Sequence, residues 1–180
     1  MPRIGVFIET REGRIKPAMS GVITAARGPN HELYGLVLDG RAAGYKAQLQ
    51  AFGIHRIVDV ASPTGPLGWN PDTWARAIAL AMREFGLEAL FGLTSAMGKE
   101  VLPRIAAILD APLLMDCLRV DVEKRTAEKS QFSGKTTGVF KLNGAHCLYG
   151  MRPNVIEAIP APTEGHGATF FFTLWEDQPA

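Results

Sequence analysis

Short apolar segments alternate with longer segments of helical periodicity, and this alternation constrains the fold more than any other feature. The apolar segments indicate buried strands at residues 4–8, 33–38, 56–61 and 88–93. The segments between them predict helices at about 18–27, 42–52 and 72–85, and a further helix ends near Leu109. Strands that alternate with helices favour an α/β fold, an open and mostly parallel sheet with helices on both faces.

Beyond the last helix the pattern changes to strands in succession. Residues 113–123, 128–142 and 145–151 each have strand character, and an Asn143-Gly144 pair separates the last two. Asn-Gly between two such segments is the strongest short-range signal for a hairpin. We therefore predict an antiparallel ribbon that is attached to the parallel sheet or extends it.

Two helix starts are predicted from capping residues and proline. Asp72 is the predicted N-cap of the third helix, which ends at Phe85 before Gly86. Pro103 lies inside the pattern of the fourth helix, so that helix begins near Leu102 or carries an early kink.

The C-terminal segment is set apart from the rest. We predict one domain at residues 1–160, followed at 161–180 by a linker and an apolar strand-like segment from 169 to 175. Exposed, this segment would invite aggregation, so it adds to the sheet of its own chain or covers a partner. The predicted interface residues are Phe170, Phe171, Phe172 and Trp175.

Composition excludes several classes of function. A chain of 180 residues with 47% hydrophobic and 21% charged residues suits one globular domain. Its formal net charge of +1 provides no electrostatic surface for nucleic acid or for an anionic membrane. Cys117 and Cys147 lack metal or disulfide spacing, which favours reduced buried thiols. No signal peptide or membrane-spanning segment is predicted, and we expect a cytoplasmic protein.

The turn before the fourth helix is the strongest candidate for ligand contact. Thr94, Ser95, Gly98 and Lys99 follow a buried strand, where open parallel sheets commonly bind ligands. The turn fails the pattern of a nucleoside-triphosphate loop, because five residues separate Gly92 from Gly98 and Glu100 stands where a hydroxyl is needed. Its backbone N–H groups and hydroxyls instead suit an anion, a cofactor edge or a partner chain. Alternatively, Lys99 is a solvated lysine that pairs with Glu100 or Glu88.

Asp116 and Arg152 each end a predicted strand. Their opposite charges predict an ion pair that clamps these strands together, and we prefer this structural role to catalysis. The four histidines lack metal spacing, and the sequence contains no nucleophile elbow or dinucleotide fingerprint. We therefore expect no catalytic residues and no metal site.

Four sequence patterns together resemble one family. They are the turn formed by Glu9, Arg11, Gly13, Ile15, Lys16 and Pro17, the ITAAR segment at 23–27, the T-x-x-x-GKE-x-LPR-x-A segment at 94–106, and RP-x-x-x-EA at 152–158 with Asp116 before it. In this order and spacing, the chain resembles the N-terminal domain of the electron-transfer flavoprotein alpha subunit.

The resemblance implies a Rossmann-like three-layer fold of the adenine-nucleotide-hydrolase kind, and a scaffold role. In that family this domain packs against a beta subunit, the alpha subunit's C-terminal domain holds FAD, and the beta subunit holds AMP. The assembled dimer carries electrons from dehydrogenases to the respiratory chain. The sequence stops at Ala180, where the family continues into its FAD domain, so we expect FAD only through a partner chain or a separate domain.

The resemblance thus implies an electron carrier subunit rather than an enzyme. The expected partner is a beta-like subunit, or a second copy in a homodimer. The alternative is a stand-alone domain of the same fold superfamily that binds AMP or ATP. That alternative requires a loop after the first strand that approaches phosphate closely, whereas residues 10–14 contain one glycine and no serine.

Overall fold

A computed structural model describes residues 1–172 of the chain. Its helices are α1 (Met19–Ala26), α2 (Ala42–Ala51), α3 (Pro71–Glu84) and α4 (Ala96–Leu109). Its strands, in chain order, are β1 (Arg3–Phe7), β2 (Thr10–Arg11), β3 (Arg14–Ile15), β4 (Glu32–Val37), β5 (Arg56–Ser62), β6 (Gly65–Pro66), β7 (Ala89–Leu93), β8 (Leu113–Asp121), β9 (Thr126–Gln131), β10 (Thr136–Lys141), β11 (Cys147–Met151) and β12 (His166–Phe171).

Ten of these strands form one sheet. Nine follow one another in the order β10-β9-β8-β11-β7-β1-β4-β5-β12, and β6 pairs with β5 off this path. Along this order, every pair in the run β8-β11-β7-β1-β4-β5-β12 is parallel. β9 pairs antiparallel with β8, and β10 pairs antiparallel with β9. The predicted α/β fold, a mostly parallel sheet extended by an antiparallel ribbon, is confirmed.

Two hydrophobic cores cover the two faces of the sheet. On one face, apolar residues of α1 and α2 such as Met19, Ile23 and Leu49 are fully buried against the strands. On the other face, α3 and α4 pack together and bury residues such as Ile78 and Leu102. Helices on both faces explain why β1 and β7 read as continuous apolar runs rather than alternating ones.

The predicted hairpin at Asn143-Gly144 is wrong. β11 does not pair with β10 but lies between β8 and β7 as a parallel strand. All five residues of β11 are buried, and neither Asn143 nor Gly144 has the positive φ that the hairpin turn requires. Burial of β11 in the centre of the sheet outweighs the local turn signal.

The predicted single strand at 128–142 is also wrong, because a turn divides it into β9 and β10. Phe132, Ser133 and Gly134 have φ angles of 50°, 57° and 86°. The Gly134 N–H donates to the Gln131 carbonyl at 3.1 Å, which closes the turn. The antiparallel ribbon therefore consists of β8, β9 and β10, and the segment predicted as one strand contains two.

The start predicted for α3 is wrong, and one of the two alternatives predicted for α4 is wrong. The N-cap of α3 is Asn70 rather than Asp72, because the Asn70 side chain accepts hydrogen bonds from two backbone N–H groups at 3.0 Å each. A start of α4 near Leu102 is wrong, because α4 begins after its N-cap Ser95 and contains Pro103 in its interior. Pro103 is exposed, so water can satisfy the helix carbonyl that loses its N–H partner.

The described part of the C-terminal segment adds to the chain's own sheet. β12 pairs in parallel with β5 from His166 to Phe171 and forms one end of the sheet. The Phe172 N–H continues the pairing by donating to the Ala61 carbonyl. Trp175, a predicted interface residue, lies outside the described residues.

Candidate functional site

The order of the strands changes direction at β1. From β1 the chain passes through α1 to β4 on one side, and from β5 it crosses through α3 to β7 on the other side. The crevice beyond the carboxyl ends of β1 and β7 is therefore the topological switch point, where open parallel sheets usually bind ligands. Glu9 follows β1, and Thr94 and Ser95 follow β7.

Glu9 fills this crevice with its own carboxylate. Its side chain is fully buried. The Ser95 hydroxyl lies 2.6 Å from Oε1 and 2.8 Å from Oε2, so its one proton is shared between the two oxygens. Lys16 Nζ donates to Oε2 at 2.5 Å. A buried carboxylate is stable only with such charged and polar partners.

A short hairpin places Lys16 beside Glu9. β2 and β3 pair across a turn in which Glu12 and Gly13 have φ angles of 52° and 71°, as a type I′ turn requires. The Lys16 N–H then donates to the Glu9 carbonyl at 3.0 Å. The turn motif found in the sequence therefore has a local physical role, since it returns the chain so that Lys16 neutralises the buried carboxylate.

The start of α4 closes the other side of the crevice. Ser95 Oγ caps α4 by accepting from the Gly98 N–H at 3.0 Å. A Cβ atom at Gly98 would lie 1.8 Å from the Leu93 carbonyl oxygen and 3.2 Å from Glu9 Oε1. Only glycine therefore fits there. The carboxylate of Glu9 also lies beside the N-terminus of α4, where the helix dipole favours negative charge.

Thr94, Lys99, Asp116 and Arg152 form a second group next to this crevice. Arg152 donates to both carboxylate oxygens of Asp116, at 2.9 and 2.5 Å. Asp116 has a φ of 65° and lies where the register between β8 and β11 shifts. Its N–H donates to Thr94 Oγ1 at 2.9 Å. The Arg152 guanidinium holds the pKa of Asp116 below its usual range, and the charges of Lys129 and of exposed Lys99 contribute to this.

Glu100, one of the alternative partners predicted for Lys99, pairs instead with Arg104 at 2.9 Å. The Arg104 guanidinium also contacts Asp72 at 2.7 Å. Lys99 forms no ion pair within residues 1–172. The Lys99 ammonium therefore remains available to solvent or to a partner at the edge of the Asp116–Arg152 pair.

A third polar group follows β4. Asp39 Oδ2 accepts from the Tyr45 hydroxyl at 2.6 Å and from Thr10 Oγ1 at 2.9 Å. Burial, together with the bond to Asp39, raises the pKa of Tyr45 to about 12. Burial and the nearby Asp39 charge raise the pKa of Asp59. These bonds connect α2 to the β2–β3 hairpin and stabilise the hairpin that carries Lys16.

The aromatic residues predicted as an interface occupy different environments. Phe170 packs against Phe85, with ring centroids 6.0 Å apart. Phe172 is buried within the chain, whereas 59% of Phe171 is exposed. Among the described residues, the interface prediction therefore depends on Phe171 and on the open edge of β12.

A cavity of about 150 Å³ opens near the amino ends of the central strands β7 and β11, lined in part by Arg125, Cys147 and Tyr149. The Tyr149 hydroxyl is buried without a hydrogen-bond partner in residues 1–172, and burial raises its pKa. A bound water would satisfy such a hydroxyl. The cavity is smaller than the roughly 300 Å³ of typical ligand pockets.

The crevice does not fit the phosphate groups of FAD or AMP. The Ser95 hydroxyl and the Gly98 N–H are engaged within the chain, and Glu9 places a negative charge where phosphate would lie. The Thr94 hydroxyl is likewise bound to the backbone of Asp116. We therefore derive no cofactor chemistry from this crevice.

The described residues contain no cluster of three or more His, Cys, Asp or Glu side chains with the geometry of a metal site. Within the same residues, every helix is too short or too polar to span a bilayer. Cys117 and Cys147 are buried free thiols. Burial raises the pKa of Cys117 to about 12 and raises that of Cys147 as well.

Sequence reasoning did not identify Glu9 and Lys16 as members of the site. In the sequence, both residues belong only to the turn motif that carries the family resemblance. The signal that could have found them is a glutamate directly after a fully apolar strand, since a charge at the carboxyl end of a central strand points into the switch crevice.

Comparison with known proteins agrees with this architecture. The family model described as "Electron transfer flavoprotein domain" matches residues 4–169. A Schizosaccharomyces pombe protein named "Probable electron transfer flavoprotein subunit alpha, mitochondrial" is 22% identical over 176 residues, which cover 97% of this chain and 50% of the relative. A protein of the same name from Cryptococcus neoformans var. grubii is 23% identical over 137 residues, 72% of this chain and 38% of the relative.

The chain thus spans half or less of the length of these relatives. The family match, in contrast, extends from β1 to β12 and includes Glu9, Lys16, the α4 turn, Asp116 and Arg152. The chain therefore belongs to the electron transfer flavoprotein domain family and is similar to its alpha subunits.

Proposed function

We propose that this chain is a non-catalytic scaffold domain of an electron-transfer flavoprotein, which docks a beta-like subunit. The assembly, rather than this domain, carries electrons from dehydrogenases toward the respiratory chain. FAD is bound through a partner chain or a separate domain, and AMP through the beta-like partner. The predicted cytoplasmic location remains part of this proposal, although the names of the fungal relatives place those proteins in mitochondria.

The observation that carries the proposal is the buried Glu9 carboxylate in the switch crevice. In a nucleotide-binding α/β domain this position must accept a ligand, often one with phosphate groups. Here Glu9 has no exposed surface and is held by Lys16 and Ser95. A domain whose usual ligand position is occupied by its own side chain is suited to packing rather than to binding a cofactor.

Polar contacts near the carboxyl ends of the strands make this domain rigid. The bidentate Asp116–Arg152 pair joins β8 to the end of β11. Asp39 accepts hydrogen bonds from Tyr45 of α2 and Thr10 of β2, and so holds α2 against the β2–β3 hairpin. Rigid surfaces lose little conformational entropy on association, which favours stable docking.

Native mass spectrometry of the protein purified from its own source tests the proposal. We expect a complex whose mass includes a second chain together with a flavin or AMP. A monomer or a homodimer of this chain that carries neither a flavin nor AMP would contradict the electron-transfer role.

Calorimetric titration with AMP and with ATP tests the alternative, a stand-alone nucleotide-binding domain. Because Glu9 repels phosphate and occupies its place, we expect dissociation constants in the millimolar range or weaker. Micromolar binding by the isolated chain would favour the alternative over the scaffold role.

A further inference from the structure

The turn before β9 and the β9–β10 hairpin together form a basic projection at one end of the sheet. Residues 124–141, which we call the basic hairpin, contain five lysines and arginines and one acid, Glu128. This segment therefore carries a net charge of +4, whereas the whole chain carries +1. Such an asymmetry favours contact with an acidic surface.

Most of this charge is not neutralised within the described chain. Lys124 pairs with Asp121 at 3.0 Å, and Arg125 donates to the Gly144 carbonyl. Lys129, Lys135 and Lys141 form no ion pair within residues 1–172. The ammonium groups of Lys135 and Lys141 lie on exposed residues and are free to meet carboxylates of another molecule.

The basic hairpin also exposes large apolar side chains. Phe132 at its tip is 76% exposed, and Val139 on β10 is 68% exposed. β10 is the last strand of the sheet, so its outer backbone N–H and C=O groups face no neighbouring strand among residues 1–172. An open strand edge with exposed apolar residues is a template for pairing with another chain.

Phe132 lies in an unfavourable backbone conformation for its residue type. Its φ of 50° belongs to the left-handed region, where Asn and Gly are preferred. The exposed phenyl ring gains little burial within this chain to offset that strain. Strained residues of this kind concentrate at binding sites, where the strain is offset by contacts with a ligand.

We propose that the basic hairpin is the element that docks the protein partner. A strand of the partner adds to the open edge of β10, and Phe132 enters an apolar pocket of the partner. The exposed Lys135 and Lys141 face acidic residues of the partner. This inference rests on the proposed function, in which the partner is the beta-like subunit. A second copy of this chain is disfavoured because two hairpins of charge +4 would repel each other.

Biolayer interferometry tests the inference with the immobilised chain and the purified beta-like subunit from the same organism. Phe132→Asn should weaken binding at least about tenfold, because it removes an aromatic anchor that the complex would bury. Asn tolerates the left-handed conformation, so this variant should unfold at the same urea concentration as the wild type or a higher one. Lys135→Glu should lower the association rate and its dependence on salt.

Phe171→Ser is the matched control for the competing surface, because Phe171 is the exposed member of the interface predicted from the sequence and lies on β12 at the other end of the sheet. Docking is assigned to the basic hairpin and not to β12, so Phe171→Ser should leave the affinity unchanged. If Phe171→Ser weakens binding and Phe132→Asn does not, the basic hairpin is not the docking element, although the scaffold role stands. If the wild-type chain does not bind the subunit, both proposals fail.

Sedimentation velocity of the isolated chain tests whether a second copy of the chain, rather than the beta-like subunit, binds the basic hairpin. We expect a monomer at micromolar concentration. A dimer that Phe132→Asn dissociates would identify a second copy of the chain as the occupant and would overturn the assignment to an acidic partner.

Discussion

Replacing Glu9 with glutamine should destabilise the fold by more than any exposed charge substitution. The amide keeps the volume of the side chain but removes the negative charge that Lys16 and Ser95 stabilise. A hydrogen bond to a charged group contributes about 1.5 to 3 kcal/mol, and breaking a buried ion pair costs about 3 to 5 kcal/mol. Because Lys16 is 28% exposed and can turn toward water, we expect a loss of about 3 kcal/mol.

The converse substitution, Lys16→Met, should cost more than Glu9→Gln. Glu9 has no exposed surface, so removing its cation leaves a buried carboxylate that water cannot reach. For a chain of this size, 1 kcal/mol corresponds to about 2 to 4 °C in Tm. Glu9→Gln should therefore lower the Tm by about 6 to 12 °C, and Lys16→Met by a larger amount.

Urea unfolding followed by circular dichroism measures these free energies, and calorimetry measures the Tm. Glu12→Gln is the matched control, because it makes the same chemical change at an exposed turn position two residues before β3. It should change stability by no more than about 0.5 kcal/mol. If Glu9→Gln is as mild as the control, or Lys16→Met is milder than Glu9→Gln, the carboxylate is not the anchor of the crevice.

Three further substitutions or treatments have defined outcomes. The pKa of Asp116 is lowered by Arg152, so this pair stabilises the fold above the unfolded Asp pKa of about 3.9 and loses its contribution as pH falls through the lower folded value. Asp116→Asn should therefore cost about 1 kcal/mol near neutral pH and less at about pH 3 by urea unfolding, and an equal cost at both would contradict the pair. Asn70→Ala should cost about 1 kcal/mol through loss of the α3 cap, measured in the same assay, whereas an unchanged midpoint would mean that the cap is not needed. Cys117 and Cys147 should resist a thiol reagent until urea unfolds the chain, because both are buried with raised pKa values; rapid labelling of the native protein would show access that the fold does not provide.

The sequence predicted the parts of the fold that depend on local patterns. Apolar runs between helices indicated β1, β4, β5 and β7, because a strand covered by helices on both faces has no polar side. The same pattern indicated β11 as a strand, but the hairpin pairing predicted for it was wrong. Its Asn-Gly turn signal is local, whereas its place between β7 and β8 depends on pairing with residues at least 34 positions away, as for Met151 and Cys117.

The candidate site shows the same division. Thr94, Ser95, Gly98 and Lys99 were found from their place between a strand and a helix, and the opposite charges of Asp116 and Arg152 suggested their pairing. The sequence could not indicate that the Ser95 hydroxyl and the Gly98 N–H are engaged within the chain, since Glu9 lies 86 residues before Ser95.

The sequence by itself therefore determined the fold class and the family, because periodicity, caps and motif spacing are properties of neighbouring residues. Only the tertiary structure decided that Glu9 occupies the switch crevice and that Phe132 is left exposed on a basic edge. Both facts depend on which strands become neighbours, and that choice is made by the burial of whole strands in the sheet rather than by any local signal.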